Sequence, residues 1–154
     1  VPRFTDSDEP TIAAYAAFLA HIERCAIIAH SQGAMFALDA ALSQTDHVAA
    51  VVALEPPVDA ASLDKLYASP AQALPPHLFL FGDFIHDCSA SWELYLGNSL
   101  RYVKELQRRG VDAQLVELPQ RGLHGNSHML QMDANQQAIA ALVCDWLRQH
   151  ESSL

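Results

Sequence analysis

Two rhythms of apolar residues alternate along this chain. Ile12, Tyr15, Ala16, Leu19 and Ile22 recur at helical spacing, after a polar loop over residues 1–8, with Asp8 and Glu9 ahead of Pro10 as a start signal. An unbroken apolar run follows at 25–29; its continuity predicts a strand buried on both faces. Ala34 to Leu42 returns to helical character and ends at Ser43-Gln44-Thr45-Asp46. Val48 to Leu54 predicts a second buried strand, closed by Glu55-Pro56-Pro57. Residues 58–76 are rich in Ala and Pro and read as a surface excursion, with a helical turn near Leu63 to Tyr67. Length makes this excursion a lid or pocket-wall candidate, and a passive loop fits it equally. His77 to Phe81 is the third strand, ended by Gly82-Asp83. Trp92, Leu96, Leu100, Val103 and Leu106 form a helical stripe that stops at Gly110. Val111 to Leu118 is the fourth strand, Pro119 to Ser127 a Gly-rich loop with His128 at its end, and Ile139, Leu142, Trp146 and Leu147 mark a closing helix.

Strand followed by helix throughout predicts an α/β fold: three layers, α/β/α, around a mostly parallel sheet of about four strands with right-handed crossovers. The 154 residues are expected to form one domain over 1–154. A hydrophobic share of 51% against 18% charged residues suits a buried parallel sheet. The 9 Lys and Arg face 18 Asp and Glu, a net charge of −9 without any basic cluster, which argues against a nucleic-acid partner. Cys25, Cys88 and Cys144 lack paired spacing, so neither a zinc site nor a disulfide framework is expected. Cys25 and Cys144 fall in apolar patterns and read as buried small hydrophobes. No run is long and apolar enough to predict a membrane span. The chain opens on Val1-Pro2, as though mid-protein, so the compartment stays open.

The chemistry centres on Ala29-His30-Ser31-Gln32-Gly33, between the first strand and the second helix. It is a variant of G-x-S-x-G, the turn that lifts a serine oxygen above the end of a sheet. Ala29 replaces the first glycine, and the Gln32 amide opens the helix, placed to face an oxyanion. A serine needs a base to take its proton, normally a His held by a carboxylate. His128 is the best base, behind a loop hinged at Gly122 and Gly125. His124 is the near rival and reads as a loop residue or pocket wall; His30 flanks the serine as a pocket candidate. His21, His47, His77, His86 and His150 read as structural. The i, i+4 spacing of His124 and His128 is interrupted by Gly125, and H-E-x-x-H is absent, so no metal is expected. Two carboxylates compete for the third role. Asp83 follows the third strand, the commoner position in such enzymes, while Glu55 ends the second strand, where an unpaired carboxylate is costly to bury. Position alone divides them evenly.

The pieces S-Q-G at 31–33, L-E-P at 54–56, F-G-D at 81–83 and H-G-N-S-H-M at 124–129, with Met132-Asp133 and Asn135 beyond, resemble a bacterial esterase family of the α/β-hydrolase fold. In that family the acid is the Glu of E-P and the base the His of G-N-S-H-M. The resemblance thus implies Ser31 as nucleophile, Glu55 as acid and His128 as base; Asp83 and His124 stay as the alternatives that position offers. It runs from about residue 10 to the end, and departs in one respect. Only 24 residues precede the elbow strand, and they read as loop plus helix. The strands that the resemblance implies beside it, and the second oxyanion amide, are then expected to lie outside this stretch. The expectation is the carboxyl-terminal half of a longer hydrolase, whose partner would be the missing half of the same fold. The reaction implied is cleavage of a small-molecule ester through an acyl-enzyme, without a cofactor. A lipase, amidase or thioesterase of the same fold, or a non-catalytic hydrolase-like binding module, are the alternatives.

Overall fold

The computed structural model of the protein describes residues 7–70, 73–86 and 88–150. Most of the expected N-terminal loop, residues 1–6, lies outside them. Helix α1 spans Asp8–Leu19, with Asp8 and Glu9 in its first turn, where acidic groups favour the helix dipole. Then come β1 (Cys25–His30), α2 (Gln32–Ser43), β2 (Val48–Leu54), α3 (Ala60–Ala68), β3 (His77–Phe81), α4 (Ala90–Arg108), β4 (Ala113–Glu117) and α5 (Gln136–Gln149), with a 3-10 turn at Leu118–Arg121. The fourth strand is shorter than expected because Leu118 already opens that turn.

The four strands lie in the order β1-β2-β3-β4, every pair parallel. Sheet order equals chain order, so the winding never reverses between β1 and β4. Successive right-handed crossovers in one direction leave their helices on one face. Accordingly α2, α3 and α4, together with the end of α1, share one core with Val51, Ala53, Phe79 and Phe81. Only after β4 does the chain return to the other face, where Ile139, Val143 and Trp146 of α5 pack on Ala50, Val52, Leu78 and Leu80.

Three expectations are corrected. Among the described residues the elbow strand is not buried on both faces: Ile28 is 55% exposed, because β1 stands at the edge of the four-stranded sheet and no described residue covers that position. Residues 58–70 and 73–76 are not a surface excursion, and the helical turn expected near Leu63 to Tyr67 belongs to a longer helix. They contain the nine-residue helix α3, whose Leu63 and Leu66 enter the core behind the buried Val58. Asn98 Nδ2 donates to the Val58 carbonyl at 3.0 Å, and the Arg109 guanidinium donates to the carbonyls of Leu66 and Ser69 at 2.7 and 3.0 Å. Cys144 is exposed on α5 and Cys25 only half-buried; neither is a core thiol.

Candidate active site

The carboxyl ends of β1, β2 and β3 carry the three non-glycine residues with positive φ among the described residues: Ser31 (53°), Glu55 (47°) and Phe84 (61°). Such backbone is costly for a residue with a Cβ and persists only where surrounding contacts over-determine it. Those contacts run sideways from strand to strand. The Ser31 amide donates to the Leu54 carbonyl at 2.9 Å, and the Glu55 amide to the Leu80 carbonyl at 2.8 Å. The Gly82 amide donates to Oε1 of Glu55 at 2.5 Å. One step further, the Asp83 amide donates to the Asn126 carbonyl at 3.0 Å, and Asp83 Oδ2 accepts from the Asn126 amide at 2.9 Å. The rim of the sheet is thereby tied to the loop that carries His128.

His128 lies between the first two strand ends. Its Nε2 is 3.0 Å from Ser31 Oγ, and its Nδ1 is 3.3 Å from Oε2 of Glu55. With Nδ1–H turned to the carboxylate, Nε2 is the acceptor for the serine hydroxyl. Glu55 is 1% exposed. Burial pushes its carboxyl up to about 7, against the pull of the Gly82 hydrogen bond and of His30, with Asp133 adding to the rise. Burial also lowers the His128 pKa, which favours the neutral imidazole, the form that can accept a proton. Gln32 begins α2, and the first amides of a helix have no intrahelical acceptor and point toward negative charge. Its side-chain Nε2 donates to Oδ1 of Asp8 at 3.3 Å, which steadies the turn from the side of α1.

Of the two candidate acids, the structure brings Glu55 to the imidazole. Asp83 faces the backbone and side-chain amides of Asn126 and pairs with Nδ1 of the exposed His124 at 3.5 Å. His124 is therefore a rim residue beside Asp83. His30 is half-buried and turns toward His128: its Nε2–H donates to the His128 carbonyl at 2.7 Å. Gly122 and Gly125 both hold positive φ, and the loop between β4 and His128 turns there. Among the described residues no three His, Cys, Asp or Glu side chains gather to hold a metal ion.

Sequence reading passed over Trp92, Asn126 and Gly82 as parts of the site. The Trp92 ring lies 4.6 Å from the His128 ring, although its spacing marked it only as one of a helical stripe. Asn126 is fully buried under the histidine loop. A Cβ on Gly82 would stand 2.9 Å from the Asn126 carbonyl and 2.9 Å from Leu130 Cδ2, so only glycine lets the loop approach the sheet. The one available signal was a glycine directly after a fully buried strand, where close backbone approach is a common cause.

No protein-family model and no curated protein matches the chain. Solved structures do resemble it. A bacterial esterase shares 28% of its residues over 92% of this chain and 43% of its own, at a TM-score of 0.78. One of two fungal esterases from Rhizomucor miehei is 14% identical over 98% of this chain and 61% of its own, at 0.60. A probable hydrolytic enzyme from Pseudomonas aeruginosa is 19% identical over 93% and 70%, at 0.57. The chain thus spans less than half of the first and less than two thirds of the second. Its α/β architecture is one that it shares, over most of its length, with esterases and hydrolytic enzymes of α/β-hydrolase type.

Proposed function

We propose that the chain carries the catalytic residues of a serine hydrolase that cleaves carboxylic esters. The observation that supports this most is one imidazole within hydrogen-bond distance of both the serine at a strained elbow and a buried carboxylate. Ser31 Oγ attacks the ester carbonyl carbon as its proton passes to His128 Nε2. The oxyanion so formed faces the Gln32 amide. The carbon–oxygen bond to the alcohol breaks, and the alcohol departs with the proton held on Nε2. Water then attacks the acyl-serine, gives its proton to the same nitrogen, and the acid leaves as Ser31 recovers its hydrogen. Glu55 holds Nδ1–H throughout and stabilises the imidazolium.

The second oxyanion donor would come from strands paired with β1, as part of a longer hydrolase of which this chain is the carboxyl-terminal portion. Two apolar grooves flank that edge, in support: about 500 Å³ between α1 and β1, and about 240 Å³ between Ile28, Leu54 and α5. An edge of this kind is ready to accept a further strand. Without the second donor, turnover falls by about 10²–10³.

A fluorophosphonate should label the intact protein at Ser31 and leave Ser31→Ala unlabelled, with hydrolysis of a chromogenic ester lost in the same variant. An intact protein that fails to label, or labels elsewhere, removes the proposal. Labelling without ester turnover would favour another leaving group, and neither would favour a binding module.

A further inference from the structure

A base acts only while its ring is held in place, and among the described residues two aromatic side chains outside the Ser31–His128–Glu55 set stand beside the His128 ring. His30 approaches from the end of β1. Its Nε2–H donates to the His128 carbonyl at 2.7 Å, and its ring centroid stands 4.5 Å from the His128 ring, tilted by 45°. Trp92 approaches from the first turn of α4, with its ring 4.6 Å away and tilted by 49°; it also meets the Tyr95 ring edge-on at 5.4 Å and packs against the core. The two come from elements far apart in the chain and meet on one residue.

We propose that His30 is a positioning residue for His128, fixing both the backbone and the ring of the base, with Trp92 as the second wall. The chemistry follows from connectivity. His30 immediately precedes Ser31, so one dipeptide presents the nucleophile and grips the residue that must deprotonate it. His128 itself sits at the end of a loop turned at two glycines, and Gly125 is three residues away. The Asp83–Asn126 bonds hold that loop two residues before His128. Ser127 is bonded to Asp133 through its amide and hydroxyl at 2.8 and 2.9 Å, and the Met129 amide donates to Ser127 Oγ at 3.1 Å. All of these tie the loop to itself or to its own side of the sheet, and none reaches β1. The bond from His30 ties the His128 carbonyl directly to the strand end that carries Ser31, and the two rings limit rotation of the imidazole. Because Nε2 of His30 is the donor, its neutral form has one tautomer, and a phenyl ring in its place keeps the face contact while deleting the bond.

This inference rests on the hydrolase reading for its rate measurement only. In the intact protein, His30→Phe should lower the limiting rate of fluorophosphonate labelling of Ser31 by about tenfold or more, the scale expected of a small misplacement of a reacting group. The concentration for half-maximal labelling should stay within about twofold, and His30→Gln, which restores a donor, should recover part of the rate. Trp92→Leu should slow labelling in the same pattern. The second measurement needs no activity: the Cε1–H resonance of the His128 imidazole should shift and broaden in His30→Phe, while the other histidine resonances keep their positions. Labelling at the parent rate together with an unchanged His128 resonance overturns the proposal. A parent protein that does not label sinks the hydrolase reading, and the resonance alone then decides whether His30 holds His128.

Discussion

The backbone amide of Gly82 and the carboxylate of Glu55 are joined across the end of the sheet at 2.5 Å. The bond orients the buried carboxylate, so that its second oxygen is the one turned to His128. The same glycine lies beneath the loop carrying that histidine. One residue therefore sets both ends of the Glu55–His128 contact.

Gly82→Ala is expected to separate those two ends. The added methyl meets the Asn126 carbonyl and Leu130 at 2.9 Å, so the loop must move outward. Overpacking of this kind costs about 1–3 kcal/mol. Urea unfolding should show that loss, and labelling of Ser31 should slow by about tenfold or more as the imidazole is displaced. Labelling at the parent rate would mean that the loop repacks without carrying His128 away.

Glu55→Gln and Asp83→Asn should differ sharply. An amide at residue 55 no longer fixes the tautomer of His128, and loss of that control costs about 10⁴ in turnover. Asp83→Asn weakens the hold on Asn126 and leaves the imidazole's own partner in place. Its loss should be smaller by at least an order of magnitude. A larger loss at Asp83 would transfer the acid role to that residue.

Glu55 should also cost the fold stability in alkaline solution. Its carboxyl titrates at about 7 when folded, against an ordinary value of 4.5. Between those values the folded chain keeps a proton that the unfolded chain has released, so the contribution is fully present below 4.5 and is lost as pH rises through 7. Glu55→Gln, which cannot ionise, should therefore be more resistant to urea than the parent at pH 8, with the advantage shrinking toward pH 4.5. An advantage that grows on acidification would reverse the assignment.

His77 should work in the opposite direction. It is fully buried at the start of β3, its Nδ1–H donates to the Pro75 carbonyl at 2.7 Å, and its Nε2 has no hydrogen-bond partner among the described residues. Burial lowers it to about 4 from 6.5. The unfolded chain gains a proton across that window while the folded chain stays neutral, so stability is present above 6.5 and declines as pH falls to 4. Replacing it, as in His77→Phe beside Phe79 and Tyr102, should flatten the decline between pH 7 and 4.5 in urea titrations. A variant that keeps the parent's full acid sensitivity would exclude His77 as its source.

Strands β2 and β3 are legible to the residue because both faces are covered, and unbroken apolar runs mark such strands without ambiguity. The same rule fails at β1. Its apolar character is real, but the cover on one side of it is not among the described residues. Helix α3 hides in an Ala- and Pro-rich segment because only Leu63 and Leu66 mark its core face, and the groups that pin it, Asn98 and Arg109, lie about forty residues on. Ser31, Glu55 and His128 each carry a local sign: an elbow, a carboxylate behind a buried run, a histidine behind a glycine loop. Trp92 carries none, and His30 is marked only by its place beside the serine, since ring contacts with His128 arise only when β1, α4 and the loop are folded against one another.

The two carboxylates at the sheet's rim have separate employments. Glu55 touches the imidazole; Asp83, one strand over, anchors the loop on which that imidazole is mounted. A lineage that moved the acid from one strand to the next would first have to invent a new anchorage for the loop, because the incoming carboxylate is already engaged.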